Sequence, residues 1–495
     1  MRYSSTRDKN ATASAATAIA QGISVEGGLF VPDTIPTFKS EDFKRLSELD
    51  YVGRAEYILK QFLTDFTDGE ISYCANGAYK GNFDEDKPAP VKSLDEKTHI
   101  LELWHGPTCA FKDLALQILP YLLTTSAKKV SNGKKTVILV ATSGDTGKAA
   151  LEGFCDVENT EIIVFYPNDG VSEMQQLQMN TQKGNNVFVS AINGNFDDAQ
   201  TGVKTIFTDA KIKEVLAENN MEFSSANSIN WGRLAPQIIY YVSAYLDLLN
   251  NGTDLKDGFN VAVPTGNFGN ILAAYYAKMM GVPIAKLICA SNSNNVLTDF
   301  LKTGTYDRNR EFYTTISPSM DILISSNLER MLYELTGHDN DLIASWQNEL
   351  KEKGKYTVSA PVFEKLKELF FGGCCDETET AKTIKETEDK YGYLIDTHTA
   401  VAVKVYNDYA KISGDTRPVV IASTASPYKF TKSVLESLGT TPPADDFDAV
   451  EVMSKLTKTA VPAPLAALKN MKVRFNNVCE KQDMSRVVLD YLGIK

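Results

Sequence analysis

An α/β architecture built on parallel sheets is predicted for these 495 residues by three observations. Six apolar runs of strand length recur along the chain. Segments with helical patterning separate them. Two of the runs pass directly into glycine loops that open a helix. The runs are His99 to Trp104, Thr136 to Thr142, Glu161 to Tyr166, Phe259 to Thr265, Ala285 to Ala290 and Pro418 to Ser423. A strand buried on both faces reads as a continuous apolar run, not as alternation. Strands that alternate with helices indicate βαβ units and parallel pairing.

Domains of about 100–200 residues predict two to four of them here. Hydrophobic residues make up 43% of the chain and charged residues 23%, a globular composition that excludes a disordered or fibrous protein. The net charge of −12 argues against a nucleic-acid partner and leaves room for an anionic substrate held in a locally positive site. The seven cysteines are scattered with no C-x-x-C spacing, and the four histidines form no i, i+4 pair. Neither a disulfide framework nor a metal site is expected, and free thiols fit a cytoplasmic protein. No apolar run approaches the ~20 residues of a membrane helix. Ala11 to Ala20 reads as the first helix of a folded domain, not as a targeting segment. The opening hundred residues, with the turn and apolar segment Gly27 to Pro32, resemble a small domain of their own. Asp84 to Pro90 reads as a linker or exposed turn. Residues 340–390, rich in Lys and Glu, read as solvated helices.

The first glycine loop follows TVILVAT and reads Ser143-Gly144-Asp145-Thr146-Gly147. The second follows FNVAVPT and reads Gly266-Asn267-Phe268-Gly269-Asn270. Such loops let backbone N–H groups approach an anion at a helix N-terminus, and in α/β sheets ligands sit at the carboxyl ends of strands. The first loop fails as a nucleotide P-loop: Thr142 stands where the pattern needs glycine, and Ala149 where it needs Ser or Thr. The second lacks G-x-G-x-x-G spacing. Either loop alone is as readily a plain βα turn. The pair favours ligands carrying phosphate or carboxylate.

Lys112 follows the Gly106-Pro107 turn and opens the helical stretch Asp113-Leu114-Ala115-Leu116. In a desolvated setting a lysine loses basicity and becomes a nucleophile. From this segment alone, a lysine on an exposed first turn is the plainer reading.

Four motifs combine with these features: His105–Asp113 (HGPTCAFKD), Ala141–Gly147 (ATSGDTG), Asn227–Arg233 (NSINWGR) and Pro264–Asn270 (PTGNFGN). In that order, with Tyr3–Arg7, Val25–Pro32, Asp396–Val401 and Ser423–Ala425, the chain resembles threonine synthase over nearly its whole length. It is most similar to the microbial and fungal-like branch. The resemblance implies fold type II of the pyridoxal-phosphate enzymes, as in the tryptophan synthase β subunit, with large and small domains holding open, mostly parallel sheets. It implies an N-terminal domain at 1–92, a large cofactor domain at 93–135 and 231–440, and a small domain at 136–230. A C-terminal helical segment at 441–495 would pack on the large domain. It further implies pyridoxal 5′-phosphate as cofactor and Lys112 as the lysine that holds it and moves protons, with Phe111 beside it. Gly266, Asn267, Phe268, Gly269 and Asn270 would cradle the cofactor phosphate, and Thr424 would face the pyridine nitrogen. The substrate would be O-phospho-L-homoserine, bound by Ser143, Thr146, Asn227, Ser228 and Arg233. Elimination of the γ-phosphate and hydration at Cβ would give L-threonine, in a monomer or homodimer. Outside the resemblance, Ser143 and Thr146 read as a capped helix start and Arg233 as a surface ion pair. His105 and His398 read as structural or supporting groups.

The sequence departs from the family at Ser426, where a histidine is usual. A hydroxyl cannot replace an imidazole in acid–base work. Two alternatives stay open: a serine/threonine dehydratase-like lyase, and a threonine-synthase-like protein that binds the cofactor without turnover. The dehydratase lysine motif, S-x-K-x-R, is unlike Ala110-Phe111-Lys112-Asp113.

Overall fold

The computed structural model describes residues 1–84, 87–131, 133–168 and 171–494, apart from the side chain of Asp197. Among these residues the chain forms two main sheets. The larger has six strands in the order Phe370–Cys374, Ile284–Ser291, Phe259–Pro264, Val419–Ser423, Thr98–Glu102, Val91–Ser93. All pairings are parallel except the last. The smaller has five parallel strands in the order Asn477–Glu480, Val187–Asn193, Thr160–Pro167, Lys135–Ala141, Met221–Ser224. All six apolar runs are strands.

The reason is visible in the side-chain alternation. Ile138 and Val140 face one apolar cluster, while Val137 and Leu139 face another on the opposite side of the smaller sheet. In the larger sheet Val261 and Val263 face the first cluster, and Ala262, Ile288 and Ile421 face a second. Successive residues of a strand point to opposite faces, so burying both leaves no polar position.

The N-terminal residues make a three-stranded antiparallel sheet, order Thr12–Ala13, Tyr3–Ser5, Phe30–Pro32, followed by helices. The stretch around Ala11 to Ala20 holds that short strand and then the helix Ala15–Gln21, capped by the Ser14 hydroxyl. This part does not close its own core. Tyr3 and Phe62 pack edge-on against Trp231, with centroids 5.5 and 5.6 Å away.

Three expectations are corrected. The segment read as a linker around 84–90 is anchored: Asp84 N–H donates to His105 O at 3.0 Å, and Pro88, Ala89 and Pro90 are buried. Its Glu85 and Asp86 lie outside the described residues. The Lys- and Glu-rich region carries the expected helices Asn340–Lys353, Ala360–Leu369 and Glu377–Tyr391, but between them Phe370–Cys374 forms the edge of the larger sheet. The segment after 440 does not pack on the large domain alone. Helix Asp446–Thr457 does so through Ala449, Val450 and Met453. Strand Asn477–Glu480 and helix Met484–Tyr491 then cross to the smaller sheet, where Met484 and Val488 cover its outer face. There they join Ala199, Val203 and Ile206 of helix Phe196–Thr208 in covering Val137, Leu139 and Phe165, each worth about 1.5–3 kcal/mol when buried.

Among the described residues no helix is long and apolar enough to cross a membrane. The seven cysteines are free thiols.

Candidate functional site

The carboxyl ends of strands from both sheets converge on Lys112. The turn that bears it follows strand Thr98–Glu102 and is tied back to the next strand: Phe111 N–H donates to Thr424 O at 2.8 Å, and Ala110 bridges Ala425. Lys112 is 8% exposed, which overturns the exposed first-turn reading. Its Nζ lies 3.3 Å from Asp145 Oδ2, 3.2 Å from Ser319 Oγ and 5.3 Å from the Phe111 ring centroid. Burial lowers its pKa, and the charges of Lys429 and Arg233 add to that against the pull of Asp145. A lowered pKa brings the lysine nearer to the free amine that nucleophilic attack needs.

Asp145 comes from the first glycine loop. Thr142 Oγ1 accepts from Gly144 N and Gly147 N at 3.0 and 2.9 Å and so shapes this loop. The expectation that Ser143 and Thr146 cap the helix is thereby corrected: Thr142 does this work. Among the described residues no side-chain partner is found for either hydroxyl, and both residues are half-buried at the loop mouth. Gly144 has φ 132°, and a Cβ there would lie 2.5 Å from the Gln175 amide. Gln175 needs that space because its Nε2 donates to Asp145 Oδ1 at 2.9 Å.

The second glycine loop ends in helix Gly269–Met279, which has no side-chain cap; its N-cap residue Phe268 is left-handed at φ 62°. The first N–H groups of this helix are thus free for an anion. Phe268 itself is 1% exposed and its ring packs on Phe370, so only its backbone faces the site. Asn270 is clamped by Tyr240 OH at 2.9 Å and by Tyr241 OH, and its Nδ2 lacks a partner. Asn267 O accepts from Asn327 N and Nδ2, both at 3.1 Å, and Asn327 Nδ2 also reaches Ser228 Oγ at 3.2 Å. Asn227 holds the turn before helix Trp231–Asn250 by accepting from Asn230 N at 3.0 Å.

A Cβ on Gly266 would stand 2.7 Å from Ser319 O. We expect Gly266→Ala to cost about 1–3 kcal/mol of stability through this clash with backbone, or to displace Ser319 and weaken anion binding. A urea titration read beside a phosphate-protection assay separates the two, and an unchanged variant in both contradicts the geometry.

Arg233 is not part of a surface ion pair. It is 3% exposed, its Nη1 donates to Ala226 O at 2.5 Å, and its Nε has no acceptor among the described residues. Burial pushes its pKa down to about 10. A buried guanidinium without an anion costs several kcal/mol, and one backbone carbonyl returns roughly 1–3. The fold leaves this cation undercompensated.

Three site residues were missed in the sequence: Asp145, Lys429 and Ser319. Lys429 is fully buried, with Nζ 2.6 Å from Asp145 Oδ1 and 2.9 Å from Thr108 O. Ser319 donates its hydroxyl to Asp145 Oδ2 at 3.2 Å and is held by its N–H on His398 Nε2 at 3.1 Å. The only signal for Lys429 was a lysine inside an otherwise apolar Pro427–Phe430 turn. Nothing in spacing links 145, 319 and 429. His398 Nδ1 lies 2.8 Å from Asp396 Oδ2, which orients the ring toward Ser319. Ser426 is fully buried, and its Oγ accepts from Tyr428 N at 3.4 Å, a cap on the turn that presents Lys429.

His105 is structural. It stacks on Trp104 and sits between Glu102 (2.8 Å) and Asp84 (2.7 Å). Burial opposes its charge, but the hydrogen bond and charge of Glu102, aided by Asp84, outweigh burial and raise its pKa. A raised pKa stabilises the fold fully below the unfolded value of about 6.5 and ceases to do so as pH rises through the folded value. The Tm advantage of the wild type over His105→Asn is therefore expected to be larger at about pH 6 than at about pH 9. An equal difference at both contradicts the assignment.

Residues 2–79 match the family described as threonine synthase N terminus, residues 88–424 the pyridoxal-phosphate dependent enzymes, and residues 399–488 the threonine synthase C-terminal family. Human threonine synthase-like 1 is 42% identical over 432 residues, 85% of this chain and 57% of that protein. The chain thus spans little more than half the length of the curated relatives it matches first. Pseudomonas aeruginosa threonine synthase is 37% identical over 88% of this chain and 90% of its own. The crystal structure of PLP-bound threonine synthase from Brucella melitensis superposes with TM-score 0.88 at 36% identity, covering 99% of this chain and 98% of that one.

Proposed function

The chain belongs to the threonine synthase family of pyridoxal-phosphate dependent enzymes, and on that premise we propose that it converts O-phospho-L-homoserine and water to L-threonine and phosphate. The observation that carries the proposal is the excess of buried cations around one nucleophilic lysine. Lys112 and Lys429 share a single carboxylate, Asp145, and the uncompensated charge of Arg233 acts on Lys112 from nearby. Arg233 Nε and Asn270 Nδ2 are orphaned donors beside an uncapped helix N-terminus. Such a site suits a cofactor phosphate and a substrate that is itself anionic at two places.

In this reading Lys112 attaches pyridoxal 5′-phosphate with Phe111 alongside. The backbone N–H groups of Gly266, Asn267, Phe268, Gly269 and Asn270 cradle its phosphate, and the Thr424 hydroxyl faces the ring nitrogen. When bound, the cofactor supplies an electron sink for carbanions next to the amino group. The Lys112 amine takes and returns the substrate protons within that enclosure. Ser143 and Thr146 offer hydroxyls to the substrate, Asn227 and Ser228 shape the opposite wall, and the Arg233 fork suits phosphate oxygens. Residues 1–92 form an N-terminal domain, 93–135 with 231–440 the large domain, and 136–230 the small one. The net charge of −12 and the free thiols support a cytoplasmic protein without a nucleic-acid partner, acting as monomer or homodimer.

Purified protein loaded with the cofactor is expected to release phosphate and L-threonine in equal amounts from O-phospho-L-homoserine. Formation of 2-oxobutyrate from L-threonine, without phosphate release, would identify the dehydratase-like alternative instead. Ser426 favours one second reading. With a turn-capping serine in place of an imidazole, the protein would bind cofactor and substrate without turnover, and both products would be absent.

A further inference from the structure

Lys429 has no role in the reading above, yet it is the most enclosed cation of the site. Three observations define its position. Its Nζ lies closer to Asp145 than Lys112 Nζ does, at 2.6 against 3.3 Å, and on the other oxygen. Its second contact is the Thr108 carbonyl at 2.9 Å, which anchors it from the large domain while Asp145 belongs to the loop after strand Lys135–Ala141. Among the described residues Lys112 hydrogen-bonds only the Ser319 hydroxyl besides Asp145.

One carboxylate cannot fully neutralise two buried ammonium groups. The shorter contact is with Lys429, so the greater share of the Asp145 charge is spent there. If Lys429 were neutral, Asp145 and Lys112 would form an isolated buried ion pair. The amine of Lys112 would then be held protonated and slow to attack a carbonyl.

We infer that Lys429 is a positioning residue that competes for Asp145 and so keeps the Lys112 amine free to bond the cofactor aldehyde. The inference rests on the proposed attachment of pyridoxal 5′-phosphate to Lys112. The charged and titratable groups facing this pair come from several elements. Asp145 lies on the first glycine loop and Arg233 on helix Trp231–Asn250. Asp113 and Cys109 flank Lys112 on its own turn, with the Asp113 carboxyl pushed up to about 6 and the Cys109 thiol to about 12 by burial. Lys148 and Glu152 form a pair on helix Asp145–Gly153. His398, Ser319 and Gln175 complete the wall. Among the described residues Asp145 is thus the one carboxylate that touches both lysines, and the balance between them runs through it. The step it governs balances simply. The neutral Lys112 amine adds to the aldehyde carbon, a C=N bond forms, and the aldehyde oxygen leaves as water.

The test uses cofactor-free full-length protein and pyridoxal 5′-phosphate as probe. Attachment is trapped by borohydride at timed intervals across a pH series and located by peptide mass spectrometry. In the wild type the adduct is expected on Lys112. Its rate should rise with pH to a plateau, and Lys429→Met should move the midpoint of that rise to higher pH by about one unit or more. Lys429→Arg, which keeps the charge, should restore the wild-type midpoint. Lys429→Gln, which keeps a donor toward Asp145 and Thr108 without the charge, should behave as Lys429→Met does and serves if the methionine variant fails to fold. A wild-type midpoint in either neutral variant overturns the inference. An adduct absent from Lys112 in the wild type overturns the proposed attachment itself, so the two failures are distinguishable.

Discussion

Lys112→Ala is expected to lower kcat/KM on O-phospho-L-homoserine by about 10⁴-fold or more, because the variant loses covalent attachment of the cofactor together with a proton carrier whose loss alone costs about 10²–10⁴. The fold should survive. Lys112 is a buried amine that touches one shared carboxylate and one hydroxyl, and Asp145 keeps its shorter contact with Lys429. No buried charge is left unpaired, so the Tm should remain near the wild-type value or rise slightly. Phosphate release, borohydride trapping and thermal melting on the same preparation make the comparison. A variant that still traps the cofactor at wild-type rate would show that another amine, Lys429 being the nearest, does the work.

The second large effect is expected at Arg233. A hydrogen bond to a charged group contributes about 1.5–3 kcal/mol, and a guanidinium fork makes two at once. At about 1.4 kcal/mol per factor of ten, Arg233→Met should weaken anion binding about 10²-fold or more. The anion may be taken as the substrate, read by KM, or as inorganic phosphate, read by its protection against thermal unfolding. The ligand-free protein should move the other way, with stability unchanged or higher, because a buried cation that lacks an anion is replaced by an apolar chain of similar length. Arg233→Lys should rescue little, since an ammonium cannot supply the planar fork. Lower stability with unaltered binding would make Arg233 a structural residue.

These two residues differ in how far the chain itself announces them. Lys112 stood out only through company: its flanking letters favoured an exposed lysine, and two glycine loops and an ordered motif set outweighed them. The buried strands were plain for a physical reason. Inward positions on both faces must be apolar, so a run such as TVILVAT can be read without partners. Edge strands were not plain. Phe370–Cys374 carries two glycines and Asn477–Glu480 is short, half polar and mostly exposed, so neither has the apolar signature. The C-terminal segment was assigned to one domain and bridges both, because which uncovered face it meets depends on the sheet order and not on its own pattern.

Motif spacing determined the fold family and singled out the two glycine loops and Lys112, since the strands and loops depend on local backbone geometry that a few residue types must satisfy: glycine where φ is positive or space is short, apolar residues where both faces are covered. Which charges share the site was decided only in three dimensions. Asp145, Ser319 and Lys429 come from the ends of separate elements, and each reads locally as an ordinary turn residue. Burial turned Arg233 from an expected surface ion pair into an undercompensated cation. Charge energies in a low dielectric depend on distances between chain-remote atoms, and no run of neighbouring residues encodes those distances.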